Sequence, residues 1–130
     1  MDVQRRQLEQ LRGTIEFLSG SVRRLQEISQ RFSVSHDTVS RLSGTDEREA
    51  LVPFTELLFL DCVLSETDRF LVDVGAGYFV EMDPTSVCGY FSQKQKYLGE
   101  RIKATEQELE RSAREYRSLA GKLGRQEGKV

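Results

Sequence analysis

Val72-Asp73-Val74-Gly75-Ala76-Gly77 is the chain's clearest chemical signal, an apolar strand running into Gly-x-Gly. In a dinucleotide-binding fold such a turn brings backbone N–H groups against a pyrophosphate at a helix N-terminus. That chemistry needs a third glycine and a helix opening behind it. Here Val80 fills the third place, and Tyr78-Phe79-Val80-Glu81-Met82 alternates like a strand. The next helix signal comes only at Asp83-Pro84. The glycines therefore predict a tight hairpin turn, with Gly75 and Gly77 supplying backbone angles that other residues resist.

The other reactive side chains do not assemble into a catalytic set. His36, the one histidine, falls in a long helical stretch with no orienting partner evident, which argues against Ser/His/Asp chemistry. Cys62 and Cys88 form no CxxC and have no histidine beside them, so no zinc site is expected. Both read as small buried hydrophobes in a reducing compartment. Asp61, Asp68 and Asp73 could cluster as carboxylates, but an acidic sheet face accounts for them equally well. No catalytic, cofactor-binding or metal-ligating residue is assigned, and the chain is not expected to be an enzyme.

The elements around the turn have two different periods. From residue 3 to about 44, Leu8, Leu11, Ile15, Leu18, Val22 and Leu25 step by three and four, the seam of a coiled coil. Beyond Leu25 the polar residues Ser29 and His36 interrupt the apolar run. Ile28, Phe32, Val39 and Leu42 then suggest a shifted stripe, and a step from Leu25 to Ile28 would be a stammer. A stop is expected near Ser43-Gly44-Thr45-Asp46, with Gly44 as cap. From about 84 to 126 a second helix is expected, opened by Asp83-Pro84. Its stripe runs Phe91, Leu98, Ile102, Thr105, Leu109, Ser112, Tyr116, Leu119, Leu123.

Between them, at about 50–82, the period falls to two. Leu51-Val52-Pro53-Phe54, Leu57-Leu58-Phe59-Leu60, Phe70-Leu71-Val72 and Tyr78-Phe79-Val80 predict up to four short strands in two hairpins. So small a sheet cannot bury its apolar surface alone, and its edges invite another chain. Leu58, Leu60, Val72, Val74, Phe79 and Val80 are the candidate assembly residues. The expected fold is mainly α: one domain comprising a long antiparallel coiled-coil hairpin with a central insert of two small β-hairpins.

Composition agrees with that picture and limits the partners. Of 130 residues, 38% are hydrophobic and 31% charged, a charge-laced balance suited to an elongated coiled coil. Net charge is −2, unevenly spread: residues 51–82 carry one Arg or Lys against six Asp or Glu, and residues 83–130 carry ten against seven. No basic block resembles a nucleic-acid footprint, and no apolar run is long enough to span a membrane. The N-terminal MDVQRRQLEQL lacks the apolar centre of a signal peptide. A soluble intracellular protein without nucleic-acid or membrane partners is expected.

Two stretches, Leu51-Val52-Pro53-Phe54-Thr55 and Phe70-Leu71-Val72-Asp73-Val74-Gly75-Ala76-Gly77-Tyr78-Phe79-Val80-Glu81, resemble the prefoldin alpha-class subunits, most closely the eukaryotic subunit-five type. The motifs are LVPxT and VDVGxGYxVE. The helical frame extends the resemblance over almost the whole chain with less specificity. Asp61-Cys62 stands where the family often has Pro-Gly, which bears on a local turn or bulge. The resemblance implies an ATP-independent co-chaperone without cofactor, cytoplasmic with a nuclear pool open. It implies a hetero-hexamer of two alpha-class and four beta-class subunits joined through a double β-barrel. Coiled-coil tips would hold unfolded clients such as actin and tubulin for the cytosolic chaperonin. Val3, Leu8, Leu11, Tyr116, Leu119 and Leu123 are the tip positions expected to meet clients. The alternative is a coiled-coil homodimeric scaffold.

Overall fold

The computed structural model describes residues 2–44 and 47–128. In chain order it has α1 (Asp2–Leu42), β1 (Arg48–Pro53), β2 (Phe59–Leu64), β3 (Phe70–Gly75), β4 (Tyr78–Met82) and α2 (Pro84–Glu127). The two long helices and two β-hairpins expected from the sequence are present. Thr45 and Asp46, part of the expected helix stop, lie outside the described residues. Within them, Ser43 N donates to Val39 O at 2.9 Å and Gly44 has φ +76°, the left-handed cap that ends a helix.

Burial along α1 corrects the expected shift of stripe. The seam positions Gln4, Leu8, Leu11, Ile15, Leu18, Val22, Leu25, Ser29, Phe32, His36 and Val39 are all covered, an unbroken alternation of four and three, and Gly20, Ser21, Ser33, Ser35 and Leu42 beside them are partly covered too. No stammer occurs at Leu25, and Ile28 is exposed. The physical reason is continuity: a helix keeps its phase more cheaply than it overwinds, so Ser29 and His36 are carried on the seam. On α2 the anticipated stripe is covered throughout, from Phe91 to Leu123, with Gln95 added. Leu98, Ser112 and Leu123 are its most buried members.

The chain divides into two compact units, Met1–Gln30 with Lys96–Val130, and Arg31–Gln95. In the first, the helical segments run antiparallel. Arg5 pairs with Glu127 at 3.0 Å, and one groove is lined by Leu18, Leu25 and Ile28 from α1 with Arg101 and Thr105 from α2. Thr105 stays on the seam because its hydroxyl donates to Arg101 O at 2.8 Å within its own helix.

The second unit contains both hairpins and the helix ends that flank them. Its core is Val39 of α1, Val72 of β3 and Val87 of α2, with Phe70, Met82, Cys88, Tyr90 and Phe91 packed around. Phe32 and Phe91 stack with centroids 5.8 Å apart, and Ser40 Oγ meets Cys88 Sγ at 3.5 Å. Val87, only 1% exposed, is the most buried side chain in this core, yet the stripe read from the sequence begins after it. It lies one residue off the heptad position held by Cys88, so a pattern of helix against helix could not find it. A strand covers it instead.

Candidate functional site

The hairpins carry the surface with most capacity for binding. β1 and β2 pair antiparallel in register from Arg48↔Leu64 to Pro53↔Phe59. Directly paired residues share a face. One face therefore collects Ala50, Val52, Leu60, Cys62 and Leu64, and the other Glu49, Leu51, Pro53, Phe59, Asp61 and Val63. The ladder passes straight through Asp61 and Cys62, paired with Leu51 and Ala50, with no turn or bulge there. Strand β2 starts later than anticipated, at Phe59, so Leu57 and Leu58 belong to the loop. Thr55 sets that loop: its Oγ1 accepts from Leu57 N at 3.3 Å and from Leu58 N at 3.1 Å. The loop holds Phe54 and Leu57 in solvent, Leu57 at 96% exposure.

In the second hairpin, Phe70↔Met82 and Val72↔Val80 form one face, and Leu71↔Glu81 and Asp73↔Phe79 the other. The first face lies on the core; the second is open. A bulge falls between Asp73 and Gly75, beside which Gly75 pairs with Tyr78. Gly75 (φ +105°), Ala76 (+53°) and Gly77 (+79°) turn the chain. Positive φ at both central residues is the requirement of a type I′ hairpin turn. Asp73 Oδ1 accepts from Gly75 N at 2.9 Å and fixes the bulge. That gives one of the three candidate carboxylates a structural task. No helix starts behind the turn, so the pyrophosphate-binding geometry is missing.

Among the described residues, Leu58, Leu60, Val74, Phe79 and Val80 are exposed, while Val72 lies in the chain's own core. Val72 therefore anchors the hairpin instead of presenting a surface. Leu51, Phe54, Leu57, Phe59, Val63, Leu71 and Tyr78 add further exposed apolar area that the list read from sequence left out. Each sheet has only two strands, so every strand has one unpaired edge. Beside the second hairpin, Val34, Thr38, Leu42, Phe70, Leu71 and Phe91 line an open apolar groove.

The tip positions differ among themselves. Val3 is 67% exposed, Leu8, Leu11, Tyr116 and Leu119 are half-buried on the seam, and Leu123 is buried at 6%. A groove follows Leu11 and Leu119, walled by Gln7, Gln10, Ser118 and Lys122. Phe17, 68% exposed further along α1, was missed because it lies beside the seam residue Leu18. His36 Nδ1 stands 3.6 Å from Asp37 Oδ1, and the neighbouring Ser40 hydroxyl donates to the His36 backbone carbonyl at 3.0 Å. Among the described residues no group of three or more His, Cys, Asp or Glu is placed to hold a metal, and Cys62 and Cys88 are free thiols. No described helix is long and apolar enough to cross a membrane.

The described residues form two long helices joined through two small hairpins with open edges. The chain belongs to the prefoldin subunit family, whose description it matches over residues 6–126. Its sequence is similar to that of the alpha-class, subunit-five type. It is 30% identical over 94 residues to probable prefoldin subunit 5 of Dictyostelium discoideum, covering 72% of this chain and 59% of that one. It is 28% identical over 102 residues to prefoldin subunit 5 of Homo sapiens, covering 78% and 66%. The chain thus spans about three fifths to two thirds of the length of these relatives. The fold is also that of filamentous PFD from Methanocaldococcus jannaschii, seen by cryo-electron microscopy, with TM-score 0.75, 20% identity, and 94% and 99% of the two chains covered.

Proposed function

We propose that this chain is an alpha-class subunit of a hetero-hexameric prefoldin, acting as an ATP-independent co-chaperone in the cytoplasm. Two such subunits and four beta-class partners would close the open hairpin edges into a shared β-structure. The coiled-coil ends would capture unfolded chains, actin and tubulin among them, and pass them to the cytosolic chaperonin. The observation that carries the reading is the apolar surface on the hairpins, left exposed among the described residues on Leu51, Phe54, Leu57, Phe59, Val63, Leu71 and Phe79. Exposed apolar area of this kind marks an interface.

Client capture follows from the tip. Val3 is open to solvent, and the half-buried Leu8, Leu11, Tyr116 and Leu119 become available when the end of the helix pair parts. Leu123 contributes only after such opening. The exposed Arg5–Glu127 pair adds at most about 1 kcal/mol to holding that end closed, so the apolar seam sets the cost of parting. Each grip is weak, so several arms acting together supply the affinity through effective concentration, and release needs no nucleotide.

Removing residues 1–12 and 116–130 tests this reading. The shortened chain should still enter a hexamer with beta-class partners but no longer suppress aggregation of unfolded actin. Unchanged suppression sinks the tip assignment. A stable homodimer that ignores beta-class partners sinks the assembly assignment in favour of a scaffold.

A further inference from the structure

We propose that the solvent-facing side of α2 near its C-terminus is a docking strip for acidic, unstructured polypeptide segments. The inference rests on the client-capturing role above and narrows it to a class of client. Arg111, Arg114, Arg117, Lys122 and Arg125 are all exposed. At about 100° per residue they share an arc of roughly 140°, centred opposite the seam of Ser112, Tyr116, Leu119 and Leu123. From Arg111 to Arg125 the strip runs about 21 Å along the helix.

Part of this charge is balanced nearby: the exposed Glu110 lies on the same arc four residues before Arg114, and Glu115 stands at its edge, but among the described residues neither reaches a cation of the strip as a salt bridge. Glu127 is engaged by Arg5 at 3.0 Å, and Glu108 reaches Arg111 at 3.4 Å. Arg117 Nε donates to Ala113 O at 3.3 Å, a contact that leaves its charge in place. Among the described residues Arg114, Arg117, Lys122 and Arg125 form no salt bridge. The strip therefore differs in sign from the acidic stretch 51–82 of the same chain.

The chemistry of the strip selects its partner. Four of the five cations are arginines, whose planar forks match carboxylates in pairs. Successive cations at three-residue spacing stand about 4.5 Å apart along the axis. Same-side residues of an extended peptide stand about 6.8 Å apart, a mismatch that long arginine side chains absorb. The half-buried Tyr116 belongs to the seam, so the strip offers no aromatic platform for stacking bases. Ser118 and Gly121 lie between the cations, where a membrane-binding face would carry apolar anchors.

The test uses the full chain and three fluorescent probes: a Glu-rich Gly/Ser peptide, its Lys-rich counterpart, and a single-stranded oligonucleotide of the same negative charge. Anisotropy should show binding of the Glu peptide alone, weakened by salt. The triple variant Arg114→Glu, Arg117→Glu, Arg125→Glu should lose it by about tenfold or more, with helical circular dichroism unchanged. A variant with the exposed reversals Arg23→Glu and Arg24→Glu, which lie outside the strip, should bind as the wild type does. Equal binding of both peptides, equal or tighter binding of the oligonucleotide, or an unaffected triple variant overturns the proposal. Aggregation assays separate it from the broader reading. If the strip alone is wrong, the wild type still suppresses acidic and neutral clients and the triple variant matches it on both. If client capture itself is wrong, the wild type suppresses neither.

Discussion

The two β-hairpins have similar size, the same antiparallel pairing and comparable apolar content, yet they stand in opposite relations to the rest of the chain. The second is fastened: Val72 is covered by Val39 and Val87, with Phe70 and Met82 beside it. The first contributes no buried residue and projects Phe54 and Leu57 into solvent. A two-stranded sheet is marginal alone in water. The helix ends stabilise one hairpin, while among the described residues the other contributes no buried side chain and rests mainly on its own ladder and loop. One hairpin belongs to the fold, and under the proposed function the other is the part that an assembly completes.

The largest expected effect breaks this asymmetry directly. Val72→Asp places an unpaired charge in the small core and should destabilise the second unit by about 4 kcal/mol or more, seen as a lost or much earlier thermal transition. Val63→Asp makes the same chemical change on the open face of the first hairpin. It should shift the stability of the isolated chain by no more than about 0.5 kcal/mol while reducing co-purification with beta-class partners. Equal thermal effects of the two substitutions would show that the hairpins are not distinguished as the burial indicates.

A second contrast concerns the turns. The first hairpin's loop is held by the Thr55 hydroxyl, whereas the second depends on backbone that prefers glycine. Gly75→Ala should cost about 1–2 kcal/mol, although open space surrounds the added methyl, because the strain at φ +105° is in the residue's own backbone. Thr55→Ala should cost only about 1 kcal/mol in urea titration, since it removes side-chain hydrogen bonds at an exposed site. A reversed order would place the more demanding turn in the first hairpin.

Ala76 sharpens the same point with the opposite sign. It adopts φ +53° without being glycine. Ala76→Asn creates the Asn-Gly pair favoured in this turn and should stabilise the chain by about 0.5–1 kcal/mol, read as a higher midpoint in the same titration. No gain would mean that the residue's left-handed conformation carries no cost to relieve.

These contrasts also show what sequence could and could not disclose. The helices were legible because a seam repeats along some forty residues, and each heptad position supports the next. Even so, the polar Ser29 and His36 suggested a phase change that an unbroken helix does not make. The strands and Gly75-Ala76-Gly77 were legible from alternation and turn chemistry. The Val39–Val72–Val87 contact was not, because it joins three elements distant in sequence and Val87 lies off the helix seam. The same lack of tertiary information placed Val72 among the assembly residues, put Leu57 in a strand and left exposed Phe17 unnoticed. Alternation tells which residues share a face but not which face is covered.

The smallest effect lies where the fastened hairpin passes into α2. Asp83 caps that junction, and its carboxylate is held below the usual range, chiefly by a hydrogen bond with Ser86. A depressed carboxylate pKa means that the folded state binds the proton less readily than the unfolded one. Its contribution to stability is therefore complete above the unfolded value and is lost as pH falls through the folded value. Asp83→Ala should lower the melting temperature by a small, constant amount near neutral pH, and the gap from wild type should close in acid. Ser86→Ala should remove most of that pH dependence while leaving Asp83 ionised at neutral pH. A gap that persists unchanged well below the carboxylate range would show that Asp83 contributes through backbone geometry at Asp83-Pro84 instead of through its charge.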